Sequence, residues 1–268
     1  MATTDSPLNI KGSIKGLRFY NRKDCPHTIV GEKGGANIDL IRNNKAFEGL
    51  RKAENEFRGR SKCAKDIRRA LGIWSHTVVN SFLQAKLAGL LMKVVKIDDI
   101  LKKGKRAIYL SKYKEILNQI NYYSYKPLNE ILFCNYSVET SEDRMSVKVT
   151  LKGLNPKMHV KAPKMASHFQ LCLSIGTVTD YEVASDSNIY IGPIGANANR
   201  GSQYISEWIP IDGEIMDEVS LKVSLPDYFT IKDNHTVIRA FGIVFGKMMR
   251  TVEELGRETG SIVLLETV

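Results

Sequence analysis

The 268-residue chain has no apolar run long enough to cross a membrane. Its longest, 87–95, is nine residues and is interrupted by Lys93, against the roughly 20 a spanning helix needs. The opening MATTDSPLNIKGS has neither the basic start nor the apolar run of a secretory signal, so no membrane insertion and no such leader are expected. Four cysteines, at 25, 63, 134 and 172, form no Cys-x-x-Cys pair. That spacing suits reduced, structural thiols in a cytoplasm, or in an assembly exported without a classical signal. The two Asn-x-Ser/Thr matches, at Asn135 and Asn234, are then chance.

Reaction motifs are missing too. The chain has no Walker A loop, no His-Glu-x-x-His, no Gly-x-Ser-x-Gly and no Gly-x-Gly-x-x-Gly. Five histidines show no metal-ligand spacing, although His159 and His168 could meet across strands. Cys25 and His27 share a turn, which supplies neither the burial nor the rigidity of a thiol nucleophile and its base. Asp98-Asp99, Asp217-Glu218 and Glu253-Glu254 are adjacent acids, the usual mark of a solvated face. No catalytic residue, metal or cofactor is expected.

What is present is charge, unevenly spread. Lys and Arg number 39 against 29 Asp and Glu, a net +10. Residues 1–128 hold 26 cations and 11 acids, and residues 129–268 hold 13 and 18. Composition changes at the same place, so a boundary is expected near 126–128. It separates a basic hairpin and helical domain (1–126) from a β-sandwich domain (127–268).

Two extended runs, 14–20 and 28–33, flank the turn formers at 21–27 and predict a β-hairpin. Helical spacing follows. Over 61–74, Cys63, Ile67, Ala70, Leu71 and Trp74 share one face, with Lys62, Lys65, Arg68 and Arg69 opposite. Gly72 is expected to end or kink this helix. Ser75 or Thr77 is expected to cap the next, which carries a broad apolar stripe from Val78 to Val95. A basic loop at 100–106 and a last helix over 111–121 complete the segment. The second half reads as strands at 131–138, 145–152, 168–178, 182–191, 204–211, 220–224, 236–247 and 261–267. The fold class expected is α+β: hairpin and helices, then an all-β sandwich or jelly roll.

Arg58, Arg60, Lys62, Lys65, Arg68 and Arg69 place six cations in twelve residues, opposed only by Asp66. Lys102, Lys103, Lys105 and Arg106 form a second cluster, and Arg22, Lys23 and Lys33 a third. Such density neutralises phosphates, or meets an acidic protein face such as Asp212, Glu214, Asp217 and Glu218 of another copy. Lys33, Gly34 and Gly35 read as a tight turn or as backbone N–H groups cradling an anion. Tyr122, Tyr123 and Tyr125 read as packing between the halves, with base stacking the alternative.

Gly16-Leu17-Arg18-Phe19-Tyr20, Lys33-Gly34-Gly35, Glu54-Asn55-Glu56-Phe57 and Pro127-Leu128-Asn129-Glu130-Ile131-Leu132 occur in that order. In this the chain resembles an uncharacterised family of bacterial proteins that pair an N-terminal hairpin with a basic helical region and a C-terminal β-domain. The resemblance implies architecture and no catalytic residues. The function expected is that of a self-assembling structural subunit of a tube, filament or shell, a homo-oligomer rather than an enzyme. Its contacts are the hairpin edge and complementary basic and acidic faces. The alternative is a nucleic-acid-binding or packaging protein. A glycan-active sandwich with acids on separate strands comes third.

Overall fold

Lys15 and Gly16 both take positive φ, 45° and 89°. Two such residues make the turn whose twist matches a two-residue hairpin, and they join β2 (Gly12–Ile14) to β3 (Leu17–Tyr20). The expected hairpin follows, β3 against β4 (Thr28–Glu32), with Tyr20 opposite Ile29 and Leu17 opposite Glu32. β1 (Ala2–Thr4) closes a sheet of order β1-β4-β3-β2, and α1 (Ile38–Asn43) comes next. The Lys15-Gly16 turn and the two outer strands escape the sequence reading. The computed structural model describes residues 2–4 (backbone alone), 11–22, 24–32, 35–98, 100–184, 189–192, 199–256 and 259–265.

The chain divides into two compact units, Met1–Arg51 and Lys52–Val268. The change in charge at 126–128 falls within the second. There most of α2 (Glu48–Ala70), with α3 (Leu83–Ile97), precedes β5 (Tyr136–Thr140), β6 (Ser146–Leu154) and the short α4 (Pro156–His159). Next come β7 (His168–Thr179), β8 (Glu182–Val183), β9 (Tyr190–Ile191), β10 (Gly201–Ile205) and β11 (Ile209–Pro210). β12 (Met216–Ser224), β13 (His235–Met248), β14 (Val252–Glu254) and β15 (Ser261–Leu264) complete the order.

β7 and β13 pair antiparallel from His235 opposite Thr179 to Gly246 opposite His168, and both of their faces are buried. Phe169, Leu171, Leu173, Ile175, Phe241, Ile243 and Phe245 meet Val147, Val149, Leu151, Leu221 and Val223 of the three-stranded sheet β12-β6-β5. Cys172, Val178, Ile238, Ala240 and Val244 meet Cys63, Ile67 and Leu71 of the α2 end and Leu87, Leu91 and Val95 of α3. Helices, a six-stranded sheet and a three-stranded sheet thus form three layers. Burial on both sides explains the nearly unbroken apolar runs of β7 and β13. Glycine permits the close approach: a Cβ on Gly176 would lie 2.5 Å from Ala70 Cα. Ser174 Oγ also donates to Leu71 O at 2.7 Å, tying the helix end to the sheet.

Several expected boundaries are corrected. The apolar face of 61–74 is buried as expected, within an α2 that runs from Glu48 and ends before Gly72, whose φ is 86°. Ser75 and Thr77 do not cap the next helix. Their hydroxyls bond Gly72 O and Trp74 O within a 3-10 turn, Ile73–Thr77. α3 starts instead beyond Asn80, whose Oδ1 accepts Phe82 N–H at 2.9 Å. In place of a helix over 111–121 stand two 3-10 turns, Leu110–Lys112 and Lys114–Gln119. The strand expected at 131–138 forms only as Tyr136–Thr140, because the Phe133 N–H bonds His159 O at the end of α4 and Ile131 O accepts the Lys161 N–H instead. Of the strand expected at 182–191, residues 185–188 lie outside the described residues, and the two ends pair as β8 and β9. The strand at 204–211 splits at Ser206, whose hydroxyl replaces the ladder by accepting Leu171 N–H at 3.0 Å.

Candidate functional site

α2 turns Asn55, Glu56 and Arg60 inward. Glu56 Oε1 accepts the Gly104 N–H at 2.7 Å and Arg106 Nε at 2.8 Å, and Oε2 accepts Arg106 Nη2 at 2.8 Å. Asn55 Nδ2 donates to Gly104 O at 2.7 Å. Asp98 holds the same loop from its other end, accepting N–H groups of Ile100, Leu101 and Ala107. Burial acts to raise the pKa of Glu56, but the bonds from Arg106 and Gly104 and the nearby positive charge outweigh it, so the carboxyl sits below its ordinary value. Arg60 donates to Ala88 O at 2.7 Å and stacks 5.4 Å from the Phe57 ring centroid. Tyr190 OH donates to Arg106 O at 2.6 Å, while Lys62 Nζ donates to Tyr190 O at 3.0 Å.

A second knot centres on Asp66. It accepts from Arg69 at 3.2 Å, Asn199 Nδ2 at 2.8 Å and the Tyr181 hydroxyl. Asn199 Oδ1 accepts Thr179 N–H at 3.0 Å, so the knot fastens the chain at Asn199 to the end of β7. Beside it Asp180 accepts both the N–H and the hydroxyl of Ser111.

Of the described acids in 52–126, Glu56 and Asp98 are buried, Asp66 is bonded inward, and only Glu54 and Glu115 face water. The cations divide differently. Arg60 and Arg106 serve the interior and Arg68 is half-buried, 3.4 Å from His76 Nδ1. Arg58, Lys62, Lys65, Arg69, Lys102, Lys103 and Lys105 are exposed. Arg58 and Arg69 are eleven residues apart on α2, about 16 Å along its axis. The loop cations are pinned near the Arg58 end through Gly104.

Lys33, Gly34 and Lys23 lie outside the described residues; Gly35 takes φ 109°, as a turn requires. Tyr122 is buried and donates to Leu117 O, whereas Tyr125 is exposed under Lys126 Nζ at 5.2 Å. His159 Nδ1 accepts Asn155 N–H and His168 Nδ1 meets Ser167 Oγ, each a local contact. Among the described residues no group of three or more His, Cys, Asp or Glu is placed to hold a metal. No helix among them is long and apolar enough to cross a membrane. Sequence reasoning missed Glu56 and Asp98, whose one visible signal is an acid set among many cations.

Comparison with family models, curated proteins and solved structures found no match.

The N-terminal unit supplies the other candidate. Register puts Ile14, Leu17, Phe19 and Val30 on one face of its sheet. Ile14 is 55% exposed and Leu17 43%, α1 buries nothing, and Ile38 and Leu40 face water. Among its described residues Ile29 alone is a buried hydrophobic. About 50 residues with so little core fall short of what an independent fold needs.

Proposed function

We propose that the chain is a self-assembling structural subunit of a tube, filament or shell, and that its N-terminal sheet docks on a neighbouring copy. The observation that carries this reading is the sheet face of Ile14, Leu17, Phe19 and Val30, an ordered apolar surface without a core of its own. A covering neighbour removes that surface from water, and each fully buried Leu or Phe contributes about 1.5–3 kcal/mol. The test is light scattering after size exclusion on the full chain and on the Leu17→Glu variant. Assembly of the parent and a lower mass for the variant are expected. A monomeric parent, or a variant of unchanged mass, overturns the reading.

Nucleic-acid binding is the second reading, favoured by the inward turn of Glu56, Asp66 and Asp98. It leaves Arg58, Lys65, Lys102, Lys103 and Lys105 exposed and without ion-pair partners among the described residues. Five phosphate contacts give a slope of about −4 in log K against log salt. Glu at Arg58, Lys65, Lys102 and Lys103 should abolish retention on DNA or RNA at low salt without changing the assembly mass. Retention that survives all four substitutions refutes it.

A further inference from the structure

Register brings five segments to one end of the sandwich. There Leu154 of β6 pairs with Met216 of β12, and His168 of β7 lies between Gly246 of β13 and Pro210 of β11. The Phe133 N–H donates to His159 O at 2.8 Å, Ile211 N–H to Ser167 O at 2.9 Å and Met248 N–H to Ser167 Oγ at 2.6 Å, which binds the connecting loops to one another. Large apolar side chains crowd this end: Met158 is 74% exposed, Met165 and Ile215 each 63%, and Phe133, Met248 and Met249 are all at least half exposed. Single exposed apolar residues are ordinary on a surface, but six on neighbouring loops and strand ends mark a contact. Methionine suits such a contact because its unbranched side chain adapts to a partner.

Charge on these loops is sorted by sign. Residues 156–167 carry Lys157, Lys161 and Lys164 and no acid. Residues 211–217 carry Asp212, Glu214 and Asp217 and no Lys or Arg. All six are exposed, and none forms an ion pair among the described residues. A two-fold contact brings a patch against its own copy. It can therefore lay the cationic loop of each protomer over the acidic loop of the other, with Met158, Met165 and Ile215 enclosed.

We infer that this end of the sandwich is a two-fold contact between two copies of the chain, with the Lys157–Lys161–Lys164 loop facing the partner's acidic loop. The inference rests on the reading that the chain self-associates, and it uses a surface other than the N-terminal sheet. Like charges brought together across the contact oppose it, while opposite ones restore it.

The test uses full-length chains in the Leu17→Glu background, so that the sheet contact is already weakened. One variant carries K157E, K161E and K164E; the other carries D212K, E214K and D217K. Light scattering should find the background chain dimeric, each charge variant monomeric with dimerisation weakened at least about 30-fold, and their equimolar mixture dimeric again. Recovery in the mixture also shows that both variants are folded. Charge variants that keep the parent mass, or a mixture that stays monomeric, overturn the inference. If Leu17→Glu leaves the parent assembly intact while charge reversal dissolves it, the N-terminal reading fails and this contact stands. A parent that is monomeric throughout removes both.

Discussion

The Glu56 carboxylate holds the Arg106 guanidinium in a two-bond fork, 2.8 Å on each oxygen, across fifty residues of sequence. The Glu56 side chain is 1% exposed and the Arg106 side chain 16%. The pair, with Asn55 and Asp98, shapes the loop so that Lys102, Lys103 and Lys105 project into water while Gly104 turns inward. A buried acid thus organises a basic surface.

Removing one member leaves the other buried and unpaired. Arg106→Ala should destabilise the chain by about 3 kcal/mol, as for other broken buried pairs. Adding Glu56→Gln should recover part of that loss, because the stranded charge is gone while Gly104 keeps an acceptor. Urea denaturation of the parent, both single variants and the double variant measures this; costs that simply add would show that the pair acts as two independent groups.

Strand positions 168–178 and 236–247 are legible in sequence because both faces of β7 and β13 are apolar. Cys63, Ile67 and Leu71 reveal the inner face of α2 equally well. Pairings across long separations leave no such trace. Arg60 and Arg106 look like the cations around them, and Asp98 looks like half of a solvated acid pair, until the fold brings Ala88, Glu56 and Ala107 to them. Ser75 and Thr77 mislead for a local reason: a hydroxyl before a helical pattern serves a 3-10 turn as readily as an N-cap.

Helix-to-sheet contact should be intolerant of a single methyl group. A Cβ at Gly176 would meet Ala70 Cα at 2.5 Å and Ala70 O at 2.9 Å, so Gly176→Ala must push α2 from the sheet at about 1–3 kcal/mol. Gly89, exposed on α3, has no heavy atom within 4 Å of its added Cβ. Gly89→Ala should stabilise by about 1 kcal/mol through helix propensity alone. Thermal melts of the two variants should move in opposite directions, and a tolerated Gly176→Ala would refute the close approach.

Thiol reactivity should separate one cysteine from three. Cys25 is half-buried, while Cys63, Cys134 and Cys172 are buried and burial pushes each of these three thiols up. The thiolate is the reactive form, so an aromatic disulfide reagent at neutral pH should titrate one thiol in the native chain and four after unfolding. A Cys25→Ser variant that still reacts rapidly would place an accessible thiol within the layers.

Two acids should make opposite contributions as pH falls. Glu56 is held below its ordinary 4.5, so its stabilisation is complete above that value and is lost as pH drops through the lower folded pKa. Asp180 is displaced the other way: burial raises its carboxyl above 3.8, and the two bonds from Ser111 only partly offset this. Its charged form therefore weakens the folded state as pH rises through the raised folded value, and that cost vanishes below the unfolded one. Relative to the parent, Asp180→Asn should gain stability as pH climbs from about 3.5 to 7, whereas Glu56→Gln should lose it over the same span. Urea midpoints at the two pH values decide the point. Differences that do not change with pH would mean that neither carboxyl titrates differently in the folded and unfolded chain.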